Sequence, residues 1–241
     1  ELEEIIKELA DEHQSLFAIV EQAKILRSKK DFEGAYELWK KASELKKSEH
    51  YYIQQQALCK YKAEQPSKQM ALVQAATIIN ELIKDGDMNN DPETLGIAGA
   101  IYKNMYLDSG DIEALEKAIK YYETGFSIRK DYYNGENYAL CLNMKANIIN
   151  DEEEKIYYKV RAKKVRKEII NMLKKIENKD FRKDRFWIYA TLAHCYYGLG
   201  DKNMGDKYEE KFKETKEEEW NYDTYIKNKK ELFNVLGFEY Y

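Results

Sequence analysis

Residues 16–47 read LFAIVEQAKILRSKKDFEGAYELWKKASELKK, and this stretch decides the fold. Ala23 and Ala35 lie twelve residues apart, and Trp39 and Ala42 follow Ala35 at helical spacing. Small residues at such positions let two antiparallel helices approach closely, while larger side chains flank the crossing. The stretch therefore predicts a helical hairpin whose turn is Lys29–Gly34.

Similar pairs of small or crossing residues recur along the chain, and Pro66 and Pro92 fall where second or new helices are expected to start. In the third and fourth hairpins the two members of a pair lie further apart, by about one extra turn on each helix. The predicted pairs are Ala23 with Ala35, Cys59 with Ala71, Gly99 with Ala118, Ala139 with Tyr158, and Ala193 with Gly205.

Two further helices are expected at the ends, over residues 1–13 and about 217–236, the second as a cap on the open end of the stack. No internal stretch is long or rich enough in Gly and Pro to act as a linker. We therefore predict an all-α fold in a single domain over residues 1–241, built from about five hairpins with capping helices. Because the chain begins with Glu1 rather than Met, we expect it to be a fragment of a larger protein.

The composition narrows the class of protein. Only two prolines and 11 glycines occur among 241 residues, which excludes collagen-like and Gly/Pro-rich chains. Three scattered cysteines do not make a disulfide scaffold, and neither a signal peptide nor an apolar run of membrane-spanning length is present. These features favour a reducing, cytoplasmic compartment, and the net charge of −4 argues against a general polyanion binder.

Residues 91–146 carry a more specific pattern, with DPETLG at Asp91–Gly96 and DYYNGEN at Asp131–Asn137. This stretch resembles the TRAFs-binding, tetratricopeptide-like family, which includes the central regulatory region of the apoptosis signal-regulating kinases and many bacterial proteins. The resemblance implies a right-handed tetratricopeptide-like solenoid that regulates an attached effector through protein contacts, without catalytic residues. The family favours an apolar residue where Glu136 stands, and no TRAF-contact motif can be matched here.

In such repeats the first helix of each hairpin lines a concave surface. Positions one and four after the small residue give a mixed surface with four bases and no acid, which suits an acidic peptide. Asn134 and Asn137 lie near that surface, and bracing of the helix start is an equally good interpretation for them. The predicted partner-binding residues are Lys24, Arg27, Lys60, Lys103, Asn134, Asn137, Asn143, His194 and Tyr197.

The stretch 155–175 holds nine basic residues and one acid, so it predicts a strongly basic helix. Either it is a solvated outer face or it docks an anionic partner such as nucleic acid or a nucleotide. The basic side chains expected on the solvent side are Lys159, Arg161, Lys163, Lys164, Arg166 and Lys167.

The sequence contains no set of residues typical of a catalytic site. His194 and Cys195 are adjacent, but neighbouring residues on a helix point about 100° apart and do not face each other. No metal-ligand spacing and no kinase motif set occurs, so we expect no catalytic residue, no metal and no cofactor. The sequence thus predicts a non-catalytic protein-interaction scaffold within a signalling or defence protein, with nucleic-acid or nucleotide sensing as the alternative.

Overall fold

The computed structural model describes residues 2–84, 87–177, 184–215 and 219–238, and in these ranges the chain is all helical, without a β-strand. It forms two compact units, residues 1–118 and 119–241. A short 3₁₀ turn, Asp87–Asn90, precedes the fifth helix. The helices are α1 Leu2–Ser28, α2 Phe32–Leu45, α3 His50–Ala63, α4 Lys68–Lys84, α5 Pro92–Ser109, α6 Ile112–Arg129, α7 Tyr132–Ile148, α8 Glu152–Lys174, α9 Arg185–Gly198, α10 Lys202–Glu214 and α11 Glu219–Leu236.

Several helices begin at an aspartate that accepts a hydrogen bond from a backbone N–H three residues later. Asp91 Oδ2 lies 2.8 Å from the N–H nitrogen of Thr94, and Pro92 follows as the first helical residue. Asp131 and Asp151 make the same bond at α7 and α8. These caps satisfy N–H groups that have no partner inside the helix, so hairpin boundaries are encoded locally.

Four of the predicted hairpins are confirmed, since α1 packs on α2, α3 on α4, α7 on α8 and α9 on α10. In the first unit Ala23, Ala35, Trp39 and Ala42 are fully buried in one cluster, as the opening stretch predicts, and Cys59 of the next hairpin joins them. The helical-repeat fold class is therefore correct.

Four local expectations differ from the structure. Residues 1–13 are not a separate helix, because α1 runs unbroken from Leu2. Pro66 precedes α4 by two residues and follows a cis peptide bond, while Gly34 lies inside α2 rather than in the turn. In the fourth hairpin, Tyr158 is only partly buried and Ala162 occupies the close crossing with 0 % exposure.

The second unit packs α8 between α7 and α9, and α11 lies on α7 and α9. The predicted cap therefore covers the first helices of two hairpins, and it also contacts the last repeat helix, α10, where Tyr225 packs against Phe212 at 4.5 Å between ring centroids. Within the described ranges, no helix has both the length and the apolar character needed to cross a membrane.

Candidate functional site

We call the face formed by the first helices of the hairpins the inner side. In the first unit it begins with α1 and α3. Arg27 at the end of α1 donates a hydrogen bond from Nη1 to Oε1 of Gln55 on α3. Lys24, one turn earlier, is exposed and forms an ion pair of 2.6 Å with Glu21. Both predicted cations of α1 are therefore reachable from solvent, although each already has a partner.

Lys60 and Lys103 are less accessible than predicted, with 5 % and 7 % exposure. The Lys60 ammonium lies 3.1 Å from Oε1 of Glu33 and 4.5 Å from the ring centre of Tyr36, both on α2. A buried ammonium needs such a partner because desolvation strongly disfavours an isolated charge. Lys60 therefore stabilises the packing of α2 against α3.

A polar connection joins the first helices α3 and α5. Gln54 is buried and donates from Nε2 to Oδ2 of Asp91 at 3.0 Å and to Oγ1 of Thr94 at 2.8 Å. Asp91 is also the cap of α5, so one carboxylate holds both the helix start and the neighbouring hairpin. Side chains of this kind fix the register of adjacent repeats.

In the second unit the inner side is built around His194 on α9. Its Nδ1 lies 2.6 Å from Oε1 of Glu136 on α7, and its ring stacks on Tyr225 of α11 at 4.7 Å between centroids. His194 is only 3 % exposed because α11 covers it. Glu136 thus has a specific partner 58 residues further along the chain.

Next to His194, Tyr197 and Glu209 form a second polar group. The Tyr197 hydroxyl lies 2.6 Å from Oε2 of Glu209 and 2.7 Å from Oδ1 of Asp206. Lys229 of α11 completes it, with its ammonium 2.5 Å from Glu209 Oε2 and 4.7 Å from the Tyr197 ring centre. The arrangement is an aromatic and anionic pocket that holds a lysine side chain.

The electrostatics of this pocket follow from its hydrogen bonds. Burial by itself raises the pKa of Glu209, but hydrogen bonds from Lys229, Tyr197 and Lys213 outweigh burial and lower the pKa to about 2. Burial, together with the neighbouring carboxylates of Glu209 and Asp206, raises the pKa of the Tyr197 hydroxyl. Glu209 is therefore charged and Tyr197 neutral at physiological pH, which favours binding of an ammonium.

The two asparagines of the DYYNGEN segment brace the start of α7. Asn134 is 1 % exposed, and its side-chain Nδ2 donates to Oδ1 of Asp131 at 2.9 Å. A Cβ added at Gly125 would lie 2.7 Å from Asn134 Cγ, so Gly125 permits this close crossing. Asn137 donates from Nδ2 to the Tyr133 carbonyl at 3.0 Å. The bracing interpretation therefore accounts for both residues.

Two expectations about the inner surface are wrong. It is not free of acids, since Glu21 on α1 and Glu136 on α7 pair with predicted members of the set, and Glu33 reaches Lys60 from the second helix α2. It is also not fully accessible, because neighbouring first helices pack closely and α11 lies over α7 and α9. The predicted residues that are buried are Lys60, Lys103, Asn134, Asn143, His194 and Tyr197.

Arg166 is a further correction, because it was expected on the solvent side of α8 and is only 2 % exposed. Its Nη1 donates to the Gly198 carbonyl at 3.3 Å. This carbonyl is at the carboxyl end of α9, where a cation is favourable. Burial lowers the pKa of the guanidinium. A Cβ added at Gly198 would overlap Arg166 Nε, so the arginine side chain can occupy this position only because residue 198 has no side chain.

Arg161 is partly buried and engaged with α6 and α7. Its Nη2 lies 3.5 Å from Oε1 of Glu123, and its Nε donates to the Tyr138 hydroxyl at 3.4 Å. Burial, followed by the hydrogen bond to Glu123, raises the pKa of Tyr138 to about 12. Arg161 therefore helps to hold α8 against α6 and α7.

The remaining members of the predicted basic set are exposed as predicted, namely Lys159, Lys163, Lys164 and Lys167. Lys164 and Lys167 line an open surface depression of about 520 Å³ together with Lys130 and Lys175. We call this feature the basic depression. Glu168 also lines it and forms an ion pair of 2.9 Å with Lys130.

Sequence reasoning missed the residues that give the second unit its polar interior, above all Glu136, Glu209 and Lys229. Their partners are 58 and 20 residues away along the chain, and no local spacing encodes such pairs. The acid at Glu136, in a position that the resembling family keeps apolar, was the one available signal.

The described residues contain no cluster of His, Cys, Asp and Glu suited to hold a metal ion. Cys195, adjacent to His194, is fully buried, and burial raises its thiol pKa, the opposite of what a nucleophile needs.

The stacked hairpins define a tetratricopeptide-like helical-repeat protein. Residues 31–142, just under half of the chain, match the family described as Tetratricopeptide Repeats-Sensor. This match supports the repeat class that the spacing of small residues predicts. Among curated proteins, none matches the chain.

Proposed function

We propose that the chain is a non-catalytic interaction and sensor module that regulates a larger signalling or defence protein in the cytoplasm. A partner segment binds the inner side of the first unit, where α1 presents Lys24 and Arg27. The observation that carries this proposal is the polar inner face of α1, α3 and α5, whose side chains are already held in fixed positions by Gln54, Gln55 and Asp91. The match of residues 31–142 to a sensor family and the resemblance of residues 91–146 to the TRAFs-binding family both support a regulatory role.

The partner that suits this surface is an acidic or carboxylate-bearing segment. A carboxylate gains charge-assisted hydrogen bonds when it replaces Glu21 at Lys24 or Gln55 at Arg27. Because both cations are at least partly exposed, such an exchange requires no unfolding of the hairpin.

The test is a pull-down from the source cell with the chain carrying Lys24→Glu and Arg27→Glu. The matched control carries Lys40→Glu and Lys41→Glu, which reverse the same charge at exposed positions of α2. We expect the first variant to lose at least tenfold in captured partner and the control to behave as wild type. Equal capture by all three proteins would refute the proposal.

A second candidate function is anion sensing at the basic depression. It rests on the four lysines that line the depression together with a single acid, Glu168. Among the described residues that line it, only Lys130 forms an ion pair with that acid, so the positive charge of the other three lysines is not neutralised within the depression. A phosphate-bearing ligand such as a nucleotide or single-stranded nucleic acid fits this charge pattern.

This candidate predicts binding of a labelled 12-nucleotide RNA at low salt, with a logarithmic salt slope of about −2 to −3 for three or four phosphate contacts. Lys164→Glu with Lys167→Glu is expected to abolish binding, whereas Lys40→Glu with Lys41→Glu leaves it unchanged. Fluorescence anisotropy that detects neither RNA nor ATP binding at low salt would exclude this function.

A further inference from the structure

The helix α11 occupies the inner side of the second unit in the manner of a bound ligand. Tyr225 stacks on His194, and Phe233 packs edge-on against Tyr197 at 5.1 Å between centroids. The Val235 carbonyl accepts a 2.6 Å hydrogen bond from Asn147 Nδ2 on α7. The helix thus contacts side chains of both α7 and α9 along its length.

The docking face of α11 has a simple pattern. Tyr225, Lys229 and Phe233 lie four residues apart, on one side of the helix. Lys229 enters the pocket between Glu209 and the rings of Tyr197 and Phe233. The inner side of this unit therefore receives an aromatic residue, a lysine and a second aromatic residue at four-residue spacing.

The contact beneath α11 contains buried polar groups as well as buried aromatic and apolar side chains such as Tyr225 and Leu232. It buries His194 and Glu209 together with the largely buried Lys229, while His194 Nε2 has no hydrogen-bond partner in the described part of the chain. When α11 leaves, His194 Nε2 gains a hydrogen bond to water and Lys229 exchanges its ion pair with Glu209 for bonds to water, which offsets part of the lost contact. An apolar contact in the core offers no such compensation, so α11 is easier to release than the hairpin helices.

We propose that α11 is an exchangeable occupant of this inner side, and that an amphipathic partner helix with the same aromatic–lysine–aromatic pattern binds there in its place. The occupant is basic rather than acidic because the pocket presents Glu209 and Asp206. This inference deepens the proposed interaction role, and it concerns a different surface from Lys24 and Arg27.

The probe is a fluorescein-labelled synthetic peptide with the sequence of residues 219–236, titrated into the full chain. In wild type the attached α11 competes at an effective concentration in the millimolar range, so the free peptide binds weakly. The chain variant Lys229→Glu breaks the contact of α11 with Glu209, and we expect it to bind the peptide at least tenfold more tightly. The matched control Lys230→Glu makes the same charge change on the exposed side of α11 and is expected to match wild type.

A milder variant controls for misfolding. Asn147 is exposed, so Asn147→Ala removes its hydrogen bond to Val235 without opening the core. Hydrogen exchange of α11 amides is expected to speed up at least threefold in both Asn147→Ala and Lys229→Glu, with α7 amides unchanged. A peptide that itself carries Lys229→Glu is expected not to bind.

Equal peptide affinity in Lys229→Glu and Lys230→Glu, or α11 amides that exchange no faster in either variant, would overturn the inference. The charge reversal of Lys24 and Arg27 separates the two proposals. If that variant loses the partner but the peptide titration is unchanged, the first surface is correct independently of α11.

Discussion

Replacement of Gly198 by alanine tests the packing that buries Arg166. The added methyl carbon would overlap Nε of Arg166 and lie 2.6 Å from both Cδ and Cζ. These positions are far inside van der Waals contact, and the arginine is 2 % exposed, so it has little room to move. Gly198 ends α9 and has ordinary helical backbone, hence the penalty comes from space rather than from backbone conformation.

The expected change in the free energy of unfolding follows from two destabilising effects and one stabilising effect. Overpacking of a filled interior costs about 1–3 kcal/mol. If Arg166 yields, its hydrogen bond to the Gly198 carbonyl is weakened. A bond from a charged donor is worth about 1.5–3 kcal/mol. Alanine in a helix recovers about 0.5–1 kcal/mol relative to glycine. We expect Gly198→Ala to lower the free energy of unfolding by about 2–4 kcal/mol.

The assay is urea unfolding of the full chain followed by circular dichroism, with Gly198→Ala made in wild type and in Arg166→Ala. In the Arg166→Ala background the clash is gone, so the cost of Gly198→Ala is expected to fall below about 0.5 kcal/mol. The control is Gly200→Ala, where φ is 83° and no atom lies within 4 Å of the added carbon. Its cost of about 1–2 kcal/mol comes from the left-handed backbone and is expected to be the same in both backgrounds. A Gly198→Ala cost that does not depend on Arg166 would refute the reasoning.

Three further outcomes are expected. Because the pKa of Glu209 is lowered to about 2, its contribution to the stability of the second unit is present above its ordinary pKa and is lost as pH falls toward 2. That contribution is at most about 3 kcal/mol, and Glu209→Gln should flatten this part of an acid-unfolding curve, so an unchanged curve would contradict the assignment. Asp131→Ala should lower the free energy of unfolding by about 1–2 kcal/mol, as expected for a lost helix cap. The loss should exceed that of Asp151→Ala, since Asp131 accepts a second bond from a buried amide, and equal thermal shifts would argue against this. Burial raises the pKa of Cys59 to about 11 and that of Cys195 further, so both thiols should react with Ellman's reagent at least a hundredfold more slowly in the native chain than in urea.

The hairpins could be predicted from sequence because their determinants are local. Small residues such as Ala23 and Ala35 repeat at helical spacing, and caps such as Asp91 act within three residues. Each signal is contained in a single hairpin, so it survives without knowledge of the tertiary structure.

The candidate sites depended on information that a single helix does not contain. Arg166 was expected in solvent because one apolar stripe of α8 was recognised, whereas α8 is covered by both α7 and α9. Lys60 was expected on an open surface, but Glu33 and Tyr36 on the neighbouring helix enclose it. The accessible surface is set by which helices become neighbours, and this choice is made by long-range packing.

The position of α11 is the clearest case. The amphipathic pattern predicts a helix that packs by one face, but it does not specify the surface that receives it. The receiving surface is fixed by pairs such as Asn147 with Val235, which are 88 residues apart.

The orientation of α11 also has a mechanical consequence. Tyr225 stacks on His194 of α9, which pairs with Glu136 near the start of α7. Val235 lies beside Asn147 near the end of α7, so α11 runs in the same direction as α7. A force applied at residue 238 and directed across the axis of α11, away from α7, therefore loads the hydrogen bond at Val235 first, then Phe233, then the ion pair of Lys229. The contacts break one after another, as in unzipping, which needs far less force than shearing all of them together. Tension in that direction on the carboxyl-terminal end of this helix thus exposes the inner side gradually, from Asn147 toward His194.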